Sequence, residues 1–205
     1  GFDPADAVLF DLGISQWHYK QAERGFSFSD PELDMRLNPE QETKALDIIN
    51  SYSEKDLDDL FTKLVQEKLA GEISQAVVRT RNIKPIKSAK RLAEIIKQVY
   101  EQKHEYSKHH PATKVFLGLR IVVNQELENL KKGLESGLKI LKPNGKLLVI
   151  TFHSTEDRIV KFWGKDKVKQ EKIKDSKLIF PTWEEKRENP SSRSAQLRVY
   201  VKANY

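Results

Sequence analysis

The chain has 205 residues, enough for one domain or two small ones with a real core. It is 32% charged, carries a net +6 with a pI near 9.3, and has no cysteine, which excludes disulfides and thiolate metal sites. No run of eighteen apolar residues occurs, so a membrane-spanning helix is excluded too. The basic balance points to an anionic partner, nucleic acid being the commonest, or else to a lysine-rich solvated surface. The opening Phe2-Asp-Pro lacks the basic lead of a signal peptide, and absent cysteines fit a reducing compartment, so the expected location is the cytoplasm.

The first element is the run Val8-Leu-Phe-Asp-Leu-Gly-Ile-Ser15. A short apolar run ending in Asp-x-Gly is the form of a parallel strand where an open α/β sheet binds ligand at its carboxyl edge. A loop dense in arginine, glycine and phenylalanine follows, Glu23-Arg-Gly-Phe-Ser-Phe28 and then Leu33-Asp-Met-Arg36. From Pro39 the pattern turns helical for some seventy residues. Ser53-Glu-Lys-Asp56 predicts a capped helix start with the stripe Leu57, Leu60, Phe61, Leu64 and Val65. Ile73, Val77 and Val78 mark a second helix, and Ser88 caps a third through Leu92, Ile95, Ile96 and Val99. The polar run Glu101 to His110 reads as a mobile linker. One long helix is expected from Ala112 to Leu141, stopped by Pro143-Asn-Gly145. Next come a strand over Lys146–Phe152, a loop and helix over His153–Phe162, and a closing strand over Leu197–Val201 at or near a sheet edge.

Three more words complete the pattern: His110-Pro-Ala-Thr113, Phe152-His-Ser-Thr-Glu-Asp-Arg-Ile-Val160, and Asn189-Pro-Ser-Ser-Arg-Ser-Ala-Gln-Leu-Arg198. With the opening words, in this order and spacing, they closely resemble the bacterial family that methylates the exocyclic amine of a cytosine in 16S ribosomal RNA, using S-adenosylmethionine. The resemblance covers nearly the whole chain. It implies an α/β fold, a class I (Rossmann-like) methyltransferase sheet, with an inserted all-helical domain. Members of that family begin with a Gly-Gly-His loop and an acidic residue after the second strand, which hold the cofactor; neither is present, so the sheet is expected to be N-terminally incomplete, entered at its fourth strand. The implied domains are 1–30 as methyltransferase core, 31–110 as a substrate-recognising helical insertion, and 111–205 as the rest of the core. Without its usual neighbours, the Val8–Phe10 strand is expected to present an open apolar edge.

Resemblance assigns Asp11 and the turn at Gly13 to S-adenosylmethionine; standing alone, Asp11 would read first as the cap of its turn. Where the family has Ser-Pro-Gln, this chain has Gln16-Trp17-His18, so His18 stands where a glutamine would touch the cofactor. Methylating a cytosine amine needs the base held in line with the sulfonium methyl, an acceptor for the amine hydrogens, and water kept out; it needs neither metal nor covalent nucleophile. Ser15, Asp11 or a backbone carbonyl of the Leu12–Ser15 loop could be the acceptor. His153 is the other candidate, or it holds its loop through Glu156 or Asp157. An unstacked base would lie between aromatic side chains, for which Trp17, Tyr19, Phe26 and Phe28 are candidates, the phenylalanines equally as core anchors.

Arg24, Arg36, Arg120, Arg158 and Arg193 are the candidate RNA contacts, because a guanidinium fork binds phosphate bidentately; each could instead pair with a nearby acid. The lysines between Lys161 and Lys177 form an electrostatic footprint for RNA or a solvated helix. Gly71-Glu72 replaces a Lys-Arg pair usual in the family's insertion, which weakens any RNA contact there. The implied function is N4-methylation of a cytosine in the decoding region of small-subunit ribosomal RNA, with the ribosomal subunit as partner and a homodimer as possible assembly. The alternative is a non-catalytic RNA- or ribosome-binding module derived from the same family.

Overall fold

A computed structural model describes residues 3–20 and 23–204, so Phe2 of the opening segment lies outside the described residues. The chain divides into two compact units, Gly1–Ile14 with Leu127–Tyr205, and Ser15–Glu126. The first holds the sheet and the second is helical. The helical unit is wider than the 31–110 stretch read from sequence as an insertion.

The sheet has four strands in the order β1-β2-β4-β3 among the described residues. β1 (Ala5–Asp11) pairs parallel with β2 (Leu141–Thr151), and β4 (Gln196–Lys202) runs antiparallel to both β2 and β3 (Ile173–Ile179). β1, β2 and β3 therefore share one direction and end at one edge. β2 begins earlier than expected because the Pro143-Asn-Gly145 turn is a bulge within it: Ala5 pairs with Leu141, but Ala7 already pairs with Lys146.

Strand alternation decides which side chains meet the helices. Leu147 and Val149 of β2 are fully buried with Tyr200 of β4, under Leu130, Leu134 and Leu138 of α7 (Glu126–Ile140) and Val160 of α8 (Ser154–Lys169). Phe10 reaches this layer over α7, where a Cβ on Gly137 would lie 3.0 Å from its ring. Tyr200 sits on Gly164 of α8 and donates its hydroxyl to the Val160 carbonyl at 2.9 Å; burial pushes its phenol up to about 12. The opposite face carries Leu148 and Ile150, half-buried, in register with Leu9, Leu197 and Val199. β1 has a strand neighbour on one side only among the described residues, and its Leu9 is 59% exposed.

Three sequence expectations change here. The single helix over 112–141 is two, α6 (Thr113–Val123) and α7, broken where Gln125 takes φ +50°. The helix after His153 runs on to Lys169 rather than ending near Phe162. The lysine-rich stretch beyond it, not expected to be a strand, forms the edge strand β3, and β4 lies next to it, near the edge as expected. A two-faced charged sequence such as Lys174-Asp-Ser-Lys177 gives no alternating apolar signal, which is how edge strands are protected.

In the helical unit, Ser53 caps α3 (Glu54–Asp59) by accepting from Asp56 N–H at 3.1 Å, and Ser88 caps α5 (Ala89–Gln102) through Arg91 N–H at 3.2 Å. A π-helical turn, Leu60–Leu64, swings Phe61 into the core beside Leu57. α2 (Ala45–Ser51) and α4 (Ala70–Ile83) complete the bundle with Ile48, Ile49, Ile73 and Val77 fully buried. Asn50 acts as a splice, exchanging hydrogen bonds of 2.9 Å with both the carbonyl and the N–H of Ile86. The run read as a linker is anchored: α5 continues to Gln102, Glu105 pairs with Lys68, and the His110 ring stacks on Phe28 at 4.2 Å.

Candidate active site

The carboxyl edge of the sheet unit is where ligand-binding groups of an open α/β sheet collect. Asp11 closes β1 with its side chain exposed. The chain leaves through Leu12, whose N–H donates to the Ile150 carbonyl of β2 at 3.2 Å, and turns at Gly13. Gly13 has φ +101°, a conformation that side chains resist, yet a Cβ there would meet only Phe152 at 3.7 Å. Backbone conformation, not crowding, requires glycine, and the turn stays open to an approaching ligand.

Beside it, β2 runs into the loop that starts α8. His153 caps this helix: its Nδ1 accepts from Glu156 N–H at 3.4 Å. The buried Glu156 carboxylate accepts from Phe152 N–H at 3.1 Å, and its Oε1 lies 3.1 Å from His153 Nε2, out of line for a hydrogen bond. These contacts favour the loop-holding reading of His153. One turn on, Asp157 takes a bidentate pair from Arg198 of β4 at 2.7 and 3.0 Å, which raises the guanidinium's affinity for its proton. Sequence reading had left Arg198 unassigned.

The helical unit opens with Ser15 and α1 (Gln16–Lys20). Ser15 Oγ lies 3.1 Å from His18 Nδ1, and His18 N–H donates to the Ser15 carbonyl. The His18 imidazole is held edge-on between Trp17 at 5.3 Å and Phe26 at 5.5 Å. Trp17 and Tyr19 are half exposed, whereas Phe26 is buried and Phe28 packs against His110 and Phe116. The phenylalanines thus serve as anchors, leaving Trp17 as the free aromatic surface of the two.

The Arg-Gly-Phe word owes its shape to packing. Gly25, at φ +91°, lies against the backbone of Leu33, and a Cβ would come 2.9 Å from Leu33 Cα. Asp30 ties the loop through the N–H groups of Gly25 and Ser27, while the Arg24 carbonyl accepts from Asp34 and Met35.

The arginines separate into two groups. Arg36 spends its guanidinium inside: Nε and Nη2 on Asp34 at 2.7 and 2.8 Å, Nη1 on the carbonyls of Pro39 and Gln41. Burial alone would raise the Asp34 carboxyl, but the Arg36 hydrogen bonds outweigh it and hold that group below the usual range. Arg120, 8% exposed, forks onto Glu126 at 2.7 and 3.0 Å and donates to the Tyr19 hydroxyl at 2.9 Å. Arg24 is half-buried, and Arg158 and Arg193 are exposed; none has a side-chain partner among the described residues. At the Gly71-Glu72 departure, Glu72 pairs with Lys103 at 3.0 Å, whose hydrogen bond lowers its carboxyl.

A mixed sheet whose parallel strands end in an exposed aspartate, a glycine turn and a capped helix start is consistent with a Rossmann-like methyltransferase. Residues 1–203 match the model of the MraW methylase family. Proteins described as ribosomal RNA small subunit methyltransferase H are similar over nearly the whole length of the chain. That of Treponema denticola is 44% identical over 100% of this chain and 70% of its own length. That of Persephonella marina is 45% identical over 94% and 66%, and that of Leptospira borgpetersenii 43% over 98% and 64%. The chain belongs to the MraW methylase family, whose methyl donor is S-adenosylmethionine, and it spans about two thirds of the length of these relatives. No helix among the described residues is long and apolar enough to cross a membrane.

Proposed function

We propose that this chain acts in S-adenosylmethionine-dependent N4-methylation of a cytosine in the decoding region of 16S ribosomal RNA. The observation that carries this is the open Asp11-Leu12-Gly13 turn beside the end of β2, within a chain that matches methylase relatives from end to end. The residues present suit the cofactor: an exposed carboxylate that can accept from amino or hydroxyl groups, and a side-chain-free turn that lets backbone come close. When bound, S-adenosylmethionine supplies an electrophilic methyl group. Asp11 and Gly13 would hold it, and His18 is a further candidate by resemblance to the family's glutamine.

The amine of cytosine is a poor nucleophile because its lone pair is delocalised into the ring. Its N–H groups therefore need an acceptor in the transition state. Ser15 fills this role better than His153. With His18 protonated on Nε2, the Ser15 hydroxyl donates to His18 Nδ1 and keeps its lone pairs free to accept from an amine. His153 instead uses Nδ1 to start α8, so it sets the shape of the loop. Trp17 offers the ring for the unstacked base, and Arg24, Arg158 and Arg193 the forks for phosphate; Arg36 and Arg120 drop to structural supports.

Calorimetry with S-adenosylmethionine, beside the full-length Treponema denticola relative as control, tests the reading. Binding that Asp11→Asn weakens by about tenfold is expected, the equivalent of one charge-assisted hydrogen bond. Methyl transfer to a small-subunit RNA fragment should yield N4-methylcytidine on hydrolysis. Ribosomal RNA binding without any cofactor binding would instead establish a non-catalytic module.

A further inference from the structure

The carboxyl edge of the sheet carries a second group of exposed side chains that the reading above leaves unused. β3 points the same way as β1 and β2, so the segment after Ile179 leaves the sheet at the edge that bears Asp11, Gly13 and His153. There Phe180 is 58% exposed and Trp183, at the start of α9 (Trp183–Glu188), is 67% exposed. α9 buries none of its residues, so Trp183 has no packing duty. Its ring is covered on one side by the Arg187 guanidinium, 5.0 Å from the centroid, and this fixes its orientation and leaves the other face bare.

A large exposed aromatic ring backed by a cation is a surface on which a planar group can stack. The charge around it selects the partner. From Arg158 to Arg187 the sequence holds ten basic and five acidic residues, which is most of the chain's net positive charge. Arg193 is exposed in the 3₁₀ turn Pro190–Ser194 that follows α9. A planar face backed by a guanidinium and next to the lysine-bearing strand β3 fits a strand of unpaired nucleotides, whose bases stack and whose phosphates pair with arginine.

We propose that Trp183, backed by Arg187 and flanked by Phe180, is a stacking platform for an unpaired nucleobase of the RNA substrate, with Arg193 on the adjoining phosphate. The platform rests on RNA being the substrate, but not on the cofactor chemistry. It places one base of the strand outside the reaction site, which sets the register of the target.

Equilibrium binding of a twelve-nucleotide single-stranded RNA, the same strand with abasic positions, and its duplex tests this. Trp183→Ala should bind the single strand about tenfold more weakly, about 1.4 kcal/mol and within the range for one base on one aromatic ring. Trp183→Phe should keep most of the affinity, and the abasic strand and duplex should not distinguish the variants. Because α9 buries nothing, both variants should melt with the parent. An unchanged affinity of Trp183→Ala for the single strand would overturn the platform, as would an equal loss for the abasic strand. Calorimetry with S-adenosylmethionine on the same variants reads the methyl-transfer proposal separately.

Discussion

The two units use the same residue types in opposite ways. In the helical unit, Arg24 apart, the arginines and carboxylates singled out from the sequence are turned inward: Arg36 on Asp34, Arg120 on Glu126, Asp30 on the Gly25 loop. In the sheet unit the same edge also has its strut, Asp157 on Arg198, but it leaves Asp11, Arg158 and Arg193 exposed. A charged residue in a sequence word is therefore no guide to its role until its partners are known. A partner two or six residues away makes a strut, and the lack of one at a strand end leaves a hand for ligand.

The sharpest way to break this contrast is to remove one strut. Glu126→Ala leaves the buried Arg120 guanidinium with only the Tyr19 hydroxyl, and a loss of about 3–5 kcal/mol is expected in chemical unfolding. A loss under about 1 kcal/mol would show that Arg120 can turn to solvent and belongs with the free arginines. Next come the two glycines at positive φ. Gly25→Ala meets backbone at 2.9 Å and should cost about 3 kcal/mol, whereas Gly13→Ala, with open space, should cost about 1 kcal/mol while weakening S-adenosylmethionine binding. Equal stability losses would mean that the Gly13 turn is as tightly packed as the Gly25 loop.

Acid should find the strut at Asp34. Its folded carboxyl titrates below an unfolded aspartate, near pH 3.9, so its contribution is complete above that pH and disappears as pH falls through the lower folded value. Asp34→Asn should lower stability by about 2 kcal/mol at pH 7 and flatten the fall below pH 4, as read by unfolding at a series of pH values. The smallest effect is also the most discriminating. Arg158→Gln or Arg193→Gln should reduce the salt slope of RNA binding by about 1, while Arg36→Gln, in whatever fraction stays folded, should not change it.

Much of the framework was legible because it is written locally. Ser53 and Ser88 stand immediately before their helices and accept from the N–H three residues on, and Leu130, Leu134 and Leu138 show their spacing whatever they pack against. What was hidden depends on distant partners. The break at Asn124 is set by a side chain that accepts from Leu37 N–H and donates to the Met35 carbonyl, almost ninety residues away, and nothing near it in sequence says so. β3 was hidden because edge strands suppress the alternation that reveals inner ones. Within the site, the strand-end Asp11 and Gly13 could be read, and the His153 cap was one of two open choices. Trp183 was passed over, although a tryptophan that opens the charged run Trp183-Glu-Glu-Lys-Arg-Glu188 is itself a signal.

The parallel pairing of β1 with β2 has a kinetic consequence. Residues 5–11 can join residues 141–151 only by closing a loop of roughly 130 residues, a cost that grows with the logarithm of length and is met before any reward. The helical unit lies between them in sequence and needs neither strand for its own core, so it can form first, after which the two strands search over a much shorter effective span. Pulse-labelled hydrogen exchange during refolding should then protect Leu92 and Ile96 before Val149, and every mutation that loosens the helical unit should slow assembly of a sheet it does not belong to.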